Sequence, residues 1–132
     1  MKLTTEQVAA VVTEASQKMT DPNYSAVMVG GFVQSQTPIA QFISAHTDEI
    51  GGAEAIINVI FHCALVGTAF ERNGGRLREL TYEDLDAASH GEPMFHLTER
   101  QPAVAEFILA NVEHPESQKL IALIALAIDG TR

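Results

Sequence analysis

The sequence predicts an all-α protein, an irregular or orthogonal bundle of six to seven helices in one domain spanning 1–132. Three observations lead there. Apolar residues recur at helical spacing along most of the chain. The apolar stretches are bounded by residues that start or stop helices, such as Asp21-Pro22, Thr37-Pro38 and Asn73-Gly74-Gly75. The connections between them are short, as in helical arrays, and 132 residues is an ordinary length for one domain.

Thr4 caps the first helix, and Gln7 completes a capping box with Leu3 and Val8 at the staple positions. Val8, Val11, Val12, Ala15 and Met19 then share one face. Asp21-Pro22 breaks the pattern. The stretch 22–36 has two readings. Val27-Met28-Val29, Gly30-Gly31 and Phe32-Val33 fit a two-residue β-hairpin, while Tyr24, Val27, Met28, Gly31, Phe32 and Ser35 form a helical stripe. Helix is favoured, because no other strand candidate exists and a lone hairpin is marginal. The glycine pair then costs about 1–2 kcal/mol of helix propensity, which predicts close packing against a neighbour there.

Thr37-Pro38 reads as N-cap and first helical residue, with Ile39, Phe42, Ile43, His46 and Ile50 on one face. After Gly51-Gly52 a long helix runs from Ala53 to about Arg72 and stops at Asn73-Gly74-Gly75. Thr81 with Asp84 opens a short helix through about Ser89. Gly91-Glu92-Pro93 reads as loop. Pro102 begins the next helix, striped by Val104, Phe107, Ile108 and Val112, and the last helix runs from Glu116 to Asp129-Gly130.

Eight basic residues against seventeen acidic ones give a net charge of −9. That balance excludes a phosphate-neutralising nucleic-acid surface and an affinity for anionic membranes. It fits a solvated surface, or a protein partner carrying a basic patch. The single cysteine, Cys63, cannot form an internal disulfide and sits in an apolar run, where a free thiol behaves as a small hydrophobe. Met1-Lys2-Leu3-Thr4-Thr5 lacks a signal-peptide apolar region. The longest apolar run, Gly51 to Phe70, is interrupted by Glu54, Asn58 and His62. The expected location is cytoplasmic, with no membrane partner.

Three places could carry function. Glu54, Asn58 and His62 are spaced four apart on the long apolar helix and form a single polar stripe. It reads as a narrow solvent seam, as a buried network fixing a neighbour, or as a ligand or transition-metal site centred on His62. His46 and Glu49 could join that site if the flanking helices turn back across Gly51-Gly52. Arg72, Arg76 and Arg78 crowd around the Asn73 loop. They either complement the helix end and pair with Glu71 and Glu79, or contact an anion. The last helix is apolar on every side, so Leu120, Leu123, Ile124 and Ala127 are either a dimer interface or the centre of the chain's own core.

No nucleophile stands beside a base in a recognisable pattern, and no glycine-rich phosphate loop is followed by lysine. The sequence therefore predicts a small acidic interaction or adaptor protein, non-enzymatic, without a cofactor and acting as a homodimer. The alternative is a helical bundle holding a metal or small ligand at the Glu54/Asn58/His62 stripe.

Overall fold

The computed structural model describes residues 2–74 and 77–131, and every regular element among them is a helix. In chain order these are α1 (Thr5–Lys18), α2 (Tyr24–Ser35), α3 (Thr37–Ser44), α4 (Thr47–Ile50), α5 (Ala53–Arg72), α6 (Tyr82–Ala88), α7 (Pro93–Arg100), α8 (Pro102–Asn111) and α9 (Pro115–Thr131). The predicted starts of α1 and α6 are present as full capping boxes, Thr4 with Gln7 and Thr81 with Asp84. The stretch 24–35 is helix, not hairpin.

The described residues hold nine helices where six or seven are expected, for two local reasons. The helix begun at Thr37 ends at Ser44, and His46 caps a separate single turn, α4, closed by Gly51 at φ +102. Gly52 follows at φ +114 and caps α5, so the Gly-Gly pair uses a conformation that side-chain-bearing residues avoid. The second reason is α7, which begins at the end of the loop read at 91–93 and fills the stretch before Pro102, where no helix is expected. Glu92 caps it by accepting from the Phe95 amide at 2.8 Å, and Pro93 takes the first turn.

Two helices organise the interior. The helices α1, α2, α3 and α4 pack on α5, while α6, α7 and α8 pack on α9, and α5 and α9 pack on each other. One apolar cluster runs through all of it, with Ile39, Ile43, Val59, Leu97, Ile108, Ile121 and Ile124 fully enclosed. By length and mean hydropathy, 1.6 over its best stretch, α5 is apolar enough to cross a membrane despite the interruptions noted above; more than half of that stretch is buried inside the fold.

Two buried glutamines hold the ends of this array, and the sequence reading missed both. Each sits between consecutive helices, the second of which starts with a proline in its first turn: Gln36 between α2 and α3, Gln101 between α7 and α8. Their backbones are similar, φ −131, ψ 53 and φ −140, ψ 71. Gln36 accepts from the Leu80 amide and donates to the Arg78 carbonyl, both at 2.7 Å. Gln101 accepts from the Leu3 amide at 2.9 Å and donates to Asp129 Oδ1 at 2.8 Å. A buried amide that satisfies remote backbone in this way fixes where a distant strand of chain lies.

Candidate functional site

The polar stripe of α5 does not stay on one side of the surface. Glu54 and Asn58 are exposed, while His62 is buried at 9% exposure, because the helix passes from solvent into the core between them. His62 Nδ1–H donates to the Asn58 carbonyl at 2.8 Å, which fixes the proton on Nδ1. Its ring lies near Phe61 and Phe107, with centroids at 5.8 and 5.9 Å. Burial pulls its pKa below the ordinary histidine value and keeps the ring neutral; the Asn58 bond opposes this. His62 is a core histidine tied through Nδ1 to its own helix, and the exposed side chains of Glu54 and Asn58 do not enter the core with it.

His46 and Glu49 do not converge on His62. His46 Nδ1 donates to the Phe42 carbonyl at 2.8 Å, and its Nε2 lies 3.6 Å from Glu49. The pair borders a surface hollow shared with Lys119, Leu120 and Leu123 of α9, and His62 is not on that border. Among the described residues no three His, Cys, Asp or Glu side chains could hold a metal together. The transition-metal alternative therefore finds no ligand set in them. Cys63 is fully enclosed, and burial pushes its thiol pKa up, so it does not supply a thiolate.

The arginine expectation is also corrected. Arg72 pairs with Glu14 of α1, tying α1 to the end of α5. Arg78 makes a two-pronged pair with Asp84 at 2.8 and 2.9 Å, rather than with the Glu79 side chain. Both guanidinium groups are committed to carboxylates and do not form an anion site. Arg76 lies outside the described residues. Glu14 feels Arg72 first and Lys18 second, and the two hold its carboxyl down at about 2.

The interface expectation for the last helix fails for a packing reason. A helix apolar all round needs neighbours on every side, and α9 has them within the chain. Leu120, Ile124 and Ala127 are buried there, and only Leu123 is partly open, at the hollow beside His46.

The surplus apolar face lies elsewhere, on α2. No Asp, Glu, Lys or Arg occurs between Asp21 and Asp48, although the chain carries −9 overall. Only Phe32 of α2 is buried. Ala26, Val27, Gly30, Gly31 and Val33 are exposed, Val27 at 68%. The close packing expected at the glycines is missing among the described residues: a methyl group added at Gly30 or at Gly31 would meet none of them within 4 Å. Beside this face a shallow groove of about 180 Å³ runs between α2 and α5, lined by Val27, Gly31, Ala64 and Thr68. Tyr24 of α2 meets Phe61 of α5 edge-on at 6.3 Å. Ile57, half exposed, lies one turn before Phe61 on the same stripe of α5.

Comparison of the chain with protein-family models, with curated proteins and with solved structures gives no match.

Proposed function

We propose that this chain is a non-enzymatic interaction domain that associates with a second copy of itself through the exposed face of α2. The observation that carries this reading is the uncrowded Gly30-Gly31 pair on an uncharged helix. Two interior glycines cost helix stability, and nothing among the described residues uses the space they leave. A second helix approaching closely would use it. The charge pattern favours another copy over a basic partner. Two chains of charge −9 repel wherever their acidic surfaces meet, and the segment 22–47 is where they can touch without opposing like charges. A basic partner finds no carboxylate on α2 itself, and of the groove's lining only Glu71, at its α5 end, carries one.

Sedimentation velocity of the full chain across a concentration series tests this. The expected result is a reversible monomer–dimer equilibrium that V27E shifts to monomer, because it places two carboxylates in one apolar contact. A chain that stays monomeric into the high micromolar range, or a dimer indifferent to V27E, contradicts the proposal.

A further inference from the structure

We propose that the open cavity bordered by α6, α7 and α9 binds a small organic anion, a carboxylate on a compact apolar body. This site is separate from the α2 face and does not depend on self-association. The cavity holds about 300 Å³ and is open to solvent, at the lower end of the range for small-molecule sites. Ala88, Leu126 and Ala127 supply apolar lining; His90, His96 and Arg100 supply the basic and hydrogen-bonding groups.

The hydrogen bonding singles this place out. His46 and His62 are each occupied by a carbonyl of their own helix. No hydrogen bond joins the ring of His90 or His96 to another described residue, although both line the cavity. Arg100 is held at one edge only. Its Nε donates to Asp129 Oδ2 at 2.8 Å, and that carboxylate is almost fully buried. The side chain as a whole is 63% exposed. An arginine clamped through Nε keeps its two terminal nitrogens for a planar, two-oxygen partner, which is the geometry of a carboxylate.

The two carboxylates nearby are engaged. Asp84, which also lines the cavity, has both oxygens on Arg78 and caps α6 through Thr81. Asp129 is shared between Arg100 and Gln101.

Two glycines lie at this place. Gly91, at φ +79, precedes α7, and a Cβ there would fall 2.5 Å from His96 Nε2, so a larger residue would strain the backbone and displace this ring. Gly130 is helical and lines the cavity, and a Cβ there would meet nothing within 4 Å. A side chain at 130 therefore has room at the cavity border.

The test is a heteronuclear NMR titration of the full chain with benzoate, run beside inorganic phosphate and benzyl alcohol. The expected result is saturable shifts at the amides of 87–88 and 126–131 with benzoate. Phosphate, lacking the apolar body, and benzyl alcohol, lacking the charge, should bind at least about tenfold more weakly. Arg100→Gln should weaken benzoate about tenfold. Gly130→Leu, which fills the cavity from a position with room for a side chain, should abolish binding while the spectrum stays that of a folded protein. Should Arg100→Gln unfold by stranding Asp129, Gly130→Leu decides alone. Absence of saturable shifts with benzoate overturns the proposal. So does equal affinity for benzyl alcohol or phosphate, undiminished binding by folded Arg100→Gln, or undiminished binding by Gly130→Leu.

Discussion

Replacing Gly30 and Gly31 with alanine should stabilise the single chain and weaken its association, and the opposite signs make the experiment informative. Both positions lie inside α2 without a positive φ, and a new Cβ meets nothing within 4 Å at either. The monomer therefore gains helix propensity without a clash, about 0.8–1 kcal/mol per site and about 1.5–2 kcal/mol for the double variant. With an unfolding entropy near 2.1 cal/mol/K per residue, that is a rise of roughly 5–7 °C in Tm for a chain of this length. Thermal unfolding followed by circular dichroism at low micromolar concentration measures the monomer. Sedimentation at high concentration measures association, where each added methyl holds the two helices apart. Destabilised monomers would refute the claim that the space is open. Stabilised monomers whose association is unchanged would refute the claim that a second copy uses it.

Gln36→Leu should cost about 2–4 kcal/mol in urea unfolding, since it strips partners from the Leu80 amide and the Arg78 carbonyl at once; a loss under about 0.5 kcal/mol would mean that the loop is held otherwise. The Glu14 carboxyl is held down from 4.5 to about 2, chiefly by Arg72. A lowered folded-state pKa adds stability that is present above pH 4.5 and is lost as pH falls toward 2. Glu14→Gln should therefore flatten the acid limb of the stability–pH curve within that window, and an unchanged limb would contradict the pairing. Gly91→Ala should destabilise by about 1–3 kcal/mol, from the positive φ and the 2.5 Å approach to His96 together, with the His96 ring resonances displaced. A neutral effect would show that the loop before α7 re-forms without that contact.

The helical class was legible because local rules and tertiary packing mostly agree: capping boxes at Thr4 and Thr81, periodic apolar faces and Gly51 mark real boundaries, whereas α9 runs on through Gly130 to Thr131. The missed helix α7 shows where local rules run out. Its cap is a glutamate, a residue outside the usual capping set, and Pro102 close behind drew attention as the helix start. The central role of α9 follows from which helices surround it, and the pattern within the helix cannot distinguish a core from an interface. The buried ends of Gln36 and Gln101 depend on partners more than forty and ninety residues away in sequence, which no local pattern encodes. The polar stripe was visible, but whether it faces water or core depends on how deeply α5 enters the bundle. The cavity beside His96 and Arg100 joins three helices, one of which, α7, the sequence does not announce, so no local pattern brings His90, His96 and Arg100 together.

Isotope-filtered NMR on a mixture of labelled and unlabelled chains tests the central claim most directly. The account predicts intermolecular contacts that include the methyl groups of Val27 and Val33. The absence of intermolecular contacts at concentrations where the chain sediments as a dimer, or contacts confined to other helices, would contradict it.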